Sequence, residues 1–433
     1  MVATPDARAL VRPTHARLLA LALITVGTLI NYLDRTLISI AAPFLQRDLA
    51  LDPIYMGLAF SAFSWTYAAS QIPGGIFLDR VGVRLTYFLS VTTWSICTAL
   101  HALSTGLTSL LSARLGLGVA ESPAYPCNSR VMNIWFPQQE RARATGTYSI
   151  GQYFGLAFLS PVLFWTCTTL GWRTLFLMVG CLGVLFGLAW IALYRDPTAS
   201  RRANQQELDY IAAGGGLDNQ SALTRFEWRN LAFLMRQRQI LGASLGQFAS
   251  NSTLVFFLTW FPSYLATERH MGWIQVGFAA VLPFIAATVG VISGGILSDS
   301  LLRRTGSANI ARKLPVITGL LFSASIVSAN FLQNDSLVIA AMSIAFFGQG
   351  MCNLGWTLIT DVAPKRLVGL TGGFFNFCAN CAGIVTPLVV GLVVKITGSF
   401  AWGLAYIALM AMGGVLCYVF ILGDVRRVEL AGD

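Results

Sequence analysis

Uncharged, mostly apolar stretches of about 20 residues recur along the whole chain, and no other feature constrains the fold as strongly. Each is long enough to cross a ~30 Å hydrocarbon core as a helix. A segment inside a bilayer must satisfy its own backbone hydrogen bonds, so these spans are expected to be helical. Reading apolar runs against charged breaks gives twelve. They lie near 18–45, 54–78, 84–103, 106–134, 141–168 and 173–194, then 239–266, 272–299, 314–331, 336–360, 367–394 and 399–422. The expected fold is an all-α polytopic membrane protein of twelve transmembrane helices. Only 11% of the 433 residues are charged, against roughly 25% in an average soluble domain. That scarcity argues against a soluble enzyme, a nucleic-acid binder or a disordered scaffold.

The longest break, 195–238, is polar, with Pro197, Gly214, Gly215, Gly216 and seven Arg. It reads as a cytoplasmic linker between two six-helix halves, 1–194 and 239–433. With both termini on the cytoplasmic side, 22 of the 29 Lys and Arg fall there. Four (Arg47, Arg173, Arg269 and Lys395) fall opposite, and three lie inside spans. This asymmetry is what the positive-inside rule predicts. The net charge of +10 is thus mainly an orientation signal, compatible with anionic lipid headgroups. The Arg-bearing N-terminus leads into an apolar stretch with no small-residue cleavage site before Asp34, so that stretch is read as the first span. The eight Cys show neither metal spacing nor a secreted disulfide pattern, and no metal is expected.

The halves echo each other. Gly75-Ile-Phe-Leu-Asp79-Arg80-Val-Gly82-Val-Arg84 follows span two, and Gly295-Ile-Leu-Ser-Asp299 with Arg303-Arg304 follows span eight, 220 residues later. Pro137 with Arg141 follows span four, and Pro364-Lys365-Arg366 follows span ten, 227 residues later. Such shifts indicate a duplicated six-helix unit, whose ligand site belongs at the midplane between the halves. Asp79, Arg80, Arg84 and Asp299 are candidate gating-loop residues, suited to capping or pairing at helix ends.

An ionisable side chain at bilayer depth is costly and is a functional candidate by default. Asp34 and Arg35 lie roughly 24 Å along span one at 1.5 Å per residue, somewhat past its middle. Glu121 is near the centre of span four. Arg114 is two turns from it on the same face, and Arg130 is near the span's end, within reach of headgroups or a loop acid. The three His (15, 101 and 270) sit at termini or span ends, so proton chemistry is assigned to the carboxylates Asp34 and Glu121. A buried carboxylate needs a cation to stay ionised. Protonating it frees the arginine for a substrate carboxylate, and deprotonation recaptures the arginine. Arg35 and Arg114 suit this exchange because the guanidinium fork binds a carboxylate through two hydrogen bonds. The second half offers neutral polar groups at similar depth: Gln247, Asn251, Gln349, Asn353, Trp356, Asn376 and Asn380. Tyr32, Tyr67 and Gln152 join them from the first half. Amide and phenol groups suit a polyhydroxylated ligand. The first half is therefore expected to handle charge and protons, and the second to read hydroxyls. No phosphate loop, metal-ligand pair or nucleophile elbow occurs, so no enzyme activity is expected.

The loop Gly75-x-x-x-Asp79-Arg80-x-Gly82-x-Arg84 resembles the signature loop of the major facilitator superfamily. Further stretches are similar to its anion:cation symporter branch, in particular to bacterial galactonate and glucarate proton symporters. They are Asn31-Tyr-Leu-Asp-Arg35, Phe60-Ser-Ala-Phe-Ser-Trp65-Thr-Tyr67, Glu121-Ser-Pro-Ala-Tyr-Pro126, Phe256-Phe-Leu-Thr-Trp260-Phe-Pro262 and Gly369-Leu-Thr-Gly-Gly-Phe-Phe-Asn376. The resemblance implies proton-coupled uptake of a sugar-acid anion by alternating access, at a bacterial inner membrane. It implies a protein functional as a monomer, with the proton as coupling ion and no other cofactor. By position it makes Asp34 and Glu121 the proton carriers, and Arg35 the link to the substrate carboxylate. Arg114 supports Glu121, and Tyr32, Tyr67, Gln152, Trp356 and Asn376 line the sugar site. Asn353 and Gly355 stand where galactonate carriers have small hydroxylated residues, and Leu354-Gly-Trp356 reads more like the glucarate type. The sugar acid therefore stays open at this point, with a hexuronate, tartrate or aromatic acid as alternatives. Efflux by proton antiport is disfavoured because span five lacks a Gly-Pro-rich run.

Overall fold

A computed structural model describes residues 14–217, 228–364 and 367–429. It is helical throughout, with no strand among the described residues. The first half comprises α1 (Ala16–Asp48), α2 (Pro53–Val81), α3 (Val83–Leu100), α4 (Leu107–Glu121), α5 (Ala124–Trp135), α6 (Gln138–Leu170) and α7 (Trp172–Leu193). Two short linker helices follow, α8 (Gln205–Ala213) and α9 (Trp228–Leu234). The second half comprises α10 (Arg238–Thr259), the single turn α11 (Phe261–Ser263), α12 (Trp273–Thr305), α13 (Ala308–Ala324), α14 (Asp335–Met351), α15 (Gly355–Val362), α16 (Val368–Thr397) and α17 (Ala401–Leu416). With α4–α5 and α14–α15 each forming one broken crossing and α11 extending α10, the chain crosses the membrane twelve times.

The lipid-facing surface follows from helical periodicity. On α12, Phe278, Leu282, Ile285, Val289, Ile292 and Ile296 are exposed at spacings of three and four, which puts them on one outward stripe. Among the described residues, seven segments are apolar and long enough to span by composition alone. Helices α2 and α10 fall short because they carry polar residues such as Ser64, Tyr67, Gln247 and Asn251, which face an internal cavity. The repeat is also visible in the broken spans. The first break, at Ser122–Pro123, follows from proline chemistry, and the Ser122 hydroxyl donates to the Ser70 carbonyl at 3.1 Å. The second, a tight turn at Cys352–Leu354, contains no proline and carried no local sequence signal.

Helices α3 and α7 approach closely because α7 presents glycine where they meet. A Cβ at Gly183 would collide with the Ser95 hydroxyl. On the side away from the termini the two halves are in contact. Backbone meets backbone where Gly57 abuts Pro387 and Gly391 abuts Pro53. The Trp260 ring meets Phe60 edge-on at 5.0 Å, and the Trp273 ring lies 5.5 Å from Phe44. Lys395 Nζ sits 2.7 Å from Asp52 Oδ2. On the other side the linker secures the start of α1. The buried carboxylate of Glu207 on α8 accepts from the backbone N–H of Ala16 and Arg17 at 3.0 and 3.2 Å. It also takes the Thr14 hydroxyl at 2.5 Å and Arg17 Nη1 at 3.1 Å.

Candidate functional site

Between the halves lies a cavity of about 740 Å³. Its lining extends on the termini side to Ser129 and Thr145 of the first half and Gly369 and Gly373 of the second. With the opposite side closed by the contacts above, this conformation is accessible from the side of the termini.

The wall from the first half is aromatic and cationic. Arg35 projects from α1 between three rings, its guanidinium carbon 4.7 Å from the Tyr67 centroid, 4.9 Å from Phe63 and 5.3 Å from Tyr32. Behind it, Nε and Nη2 both lie 2.8 Å from Oε2 of Glu121. Glu121 is fully buried, while Arg35 retains 15% of its side-chain exposure. The arginine therefore stands between the carboxylate and the cavity. Arg114 lines the cavity too, but its hydrogen bonds go to the carbonyls of Ala59 at 3.1 Å and Phe60 at 3.4 Å. Tyr125 donates to the Tyr32 hydroxyl at 3.2 Å. Among the described residues, Arg35 and Arg114 are the cationic residues of this lining, which contains no acid.

The opposite wall is neutral and polar. Gln247, Asn251, Gln349, Asn353, Trp356, Asn376 and Asn380 face the cavity. Asn376 and Asn380 are joined by an amide hydrogen bond of 3.0 Å, and Asn251 donates to the Ala379 carbonyl at 2.6 Å. The Trp356 ring packs edge-on against Phe375 at 5.0 Å. Gln247 and Gln349 each keep a buried oxygen with no partner among the described residues. The side chain of Gln152 lies outside the described residues.

Asp34 is separate from this cavity. It is buried and faces Trp94 and Thr98 of α3. Consecutive helical residues point about 100° apart, so Asp34 and Arg35 look into different spaces. The loop residues separate as well. Asp79 pairs with Arg130 at 3.0 Å, and Arg84 donates to the Ile191 carbonyl at 2.6 Å. Arg80 is exposed. Asp299 is exposed with no ion pair among the described residues, and the second half instead joins Arg312 to Asp361 at 2.9 Å. His101 lies at a span end in the sequence, yet it is only 1% exposed and stacks on Phe176 at 5.0 Å between centroids. Its burial depends on packing between helices, which no local pattern encodes.

The chain is similar over nearly its whole length to known transporters. It is 42% identical to the D-galactonate transporter of Escherichia coli O6:H1, with 96% of this chain and 98% of the relative covered. It is 40% identical to a probable galactarate/D-glucarate transporter of Escherichia coli K12, with 96% of each covered. Among solved structures, an unoccupied, inward-facing bacterial homologue of the lysosomal transporter Spinster superposes with a TM-score of 0.70 at 18% identity, covering 94% of this chain and 95% of that one. The Major Facilitator Superfamily profile matches residues 24–387. The chain belongs to the major facilitator superfamily.

Proposed function

We propose that this protein is a secondary transporter that carries a sugar-acid anion together with protons across the bacterial inner membrane, with both termini in the cytoplasm. It is a transporter and not an enzyme. The observation that carries the reading is the Arg35–Glu121 pair, with the carboxylate buried and the guanidinium at the cavity wall. A proton on Glu121 removes the negative charge that holds Arg35. The guanidinium fork is then free for a substrate carboxylate. Asp34 is the second proton carrier, and its place behind the cavity keeps it from competing for the ligand. The amides opposite supply donors and acceptors to the hydroxylated carbons of the ligand. Arg114, anchored on backbone carbonyls, adds positive potential with no ion pair among the described residues. A twelve-helix chain of this kind needs no second copy to complete the site, and we infer a functional monomer.

Alternating access follows from the same contacts. The closed side is held by Asp52–Lys395 and by backbone packing at Gly57 and Gly391. Opening that side requires the halves to rock about the cavity. The test is accumulation of labelled D-galactonate, D-glucarate and D-galacturonate by proteoliposomes with an acid-outside pH gradient. Concentrative uptake of a sugar acid that collapses with a protonophore is expected. Equal accumulation with and without the gradient would refute the coupling.

A further inference from the structure

Neither oxygen of the Asp34 carboxyl makes a well-formed hydrogen bond among the described residues, although the Trp94 indole and the Thr98 hydroxyl are close enough to act on it as donors, and it is buried deep in the first half. A buried carboxyl in that condition exchanges protons or holds water. The polar groups nearest it lie on α3. The Trp94 indole and the Thr98 hydroxyl face it, and both donors are themselves buried without a partner among the described residues.

The same side of α3 continues toward the end away from the termini. Trp94, Thr98 and His101 follow at spacings of four and three, which places them on one helix face. His101 Nδ1 lies 2.7 Å from the Cys97 carbonyl. A carbonyl only accepts, so this bond puts the ring proton on Nδ1 and leaves the Nε2 lone pair free. Nε2 is buried and has no partner among the described residues, as is true of the Ser104 hydroxyl one turn further on. Beside Ser104, Arg173 is half-exposed and donates to the Ser104 carbonyl at 3.4 Å. From Thr98 to Ser104 the chain runs through the end of α3 and the 3-10 turn His101–Leu103, a rise of roughly 10 Å, short enough for two or three water-assisted hops.

We propose that Thr98, His101 and Ser104 form the route by which protons reach Asp34 from the extracytoplasmic side, separate from the sugar-acid cavity. The inference rests on the transport reading above. A proton arriving past Ser104 is taken up at Nε2, giving a transient imidazolium. The same nitrogen then releases it through water at the Thr98 hydroxyl to an Asp34 oxygen, and the ring returns to its neutral state. Only O–H and N–H bonds change. The charged group that faces the ring from α4 is Arg114, and Phe176 covers it from α7. Arg114 and Glu121 are the charged groups that act on Asp34. Ser104 is itself only 1% exposed, so the file is capped in the conformation whose cavity opens toward the termini.

The test uses full-length protein in proteoliposomes and two variants. His101→Phe keeps an aromatic ring against Phe176, and Thr98→Val keeps the shape of the hydroxyl residue. Gradient-driven uptake of labelled D-galactonate is expected to fall at least tenfold in each. Counterflow at equal pH, which needs no net proton movement, is expected to stay within about twofold of wild type and reports an intact fold. Uptake at the wild-type rate in either variant overturns the route. So does a parallel loss of counterflow in both, which assigns these residues to packing. If wild type accumulates no sugar acid under a gradient, the transport reading falls and the route falls with it.

Discussion

Replacing Glu121 with Gln separates ligand binding from proton coupling. In the wild-type protein Oε2 of Glu121 accepts a hydrogen bond from Nε of Arg35 at 2.8 Å, with Nη2 at the same distance in the ion pair, so a ligand carboxylate must displace that partner. A hydrogen bond to a charged group is worth about 1.5–3 kcal/mol, and about 1.4 kcal/mol is a factor of ten in affinity. Counting the two contacts as one pair, because they share an oxygen, Glu121→Gln should tighten sugar-acid binding by roughly 10- to 100-fold at pH 8. The neutral amide imitates the protonated acid, so affinity should also lose most of its pH dependence. Without a ligand the variant leaves a buried guanidinium poorly compensated. Ligand should therefore raise its melting temperature more than it does for wild type. Titration calorimetry in detergent at pH 6 and pH 8 reads both effects, and gradient-driven uptake should be lost. A folded Glu121→Gln protein that binds no tighter than wild type at pH 8 would refute the exchange of partners on Arg35.

Three further outcomes follow from the same contacts. Both lining cations lie on the first-half wall, so a second carboxylate would be stripped of water against amides alone, and competition assays should show D-galactonate binding roughly tenfold or more tighter than D-glucarate. Glu207→Ala removes acceptors from the first turn of α1 and should cost about 1–3 kcal/mol in thermal or denaturant unfolding. Burial pushes the Glu207 carboxyl up, but its bonds to Thr14, Ala16 and Arg17 outweigh this and hold it below the ordinary value of 4.5. Its contribution is thus complete above pH 4.5 and is lost as the pH falls through the lowered value, so the wild-type and Glu207→Ala melting temperatures should converge in acid. Gly183→Ala should force α7 away from the Ser95 hydroxyl and cost about 1–3 kcal/mol, with a matching fall in melting temperature.

Much of this was legible in the sequence because bilayer physics leaves few options. Charge scarcity marked the twelve spans, and it also made Asp34, Arg35, Arg114 and Glu121 conspicuous. The break after Glu121 was signalled by Pro123, whereas the matching break at Cys352–Leu354 was silent because a tight turn there needs no special residue. Depth along a span was readable, but azimuth between helices was not. Hence Asp34 and Glu121 looked like equal members of one cluster, although only Arg35 separates Glu121 from the cavity and Asp34 faces α3. The loop repeat suggested equivalent roles for Asp79 and Asp299. The pairing geometry differs, since Arg130 meets Asp79 while Arg312 meets Asp361. His101 was overlooked because position at a span end says nothing about whether a neighbouring helix covers it.

The most direct test of the central claim is proton movement caused by the ligand itself. Proteoliposomes holding a trapped pH dye, with no initial gradient, are given D-galactonate outside. The account predicts acidification of the lumen in step with sugar-acid influx, absent in Asp34→Asn and Glu121→Gln vesicles that still show ligand binding. Influx of the sugar acid with no change in luminal pH would contradict it.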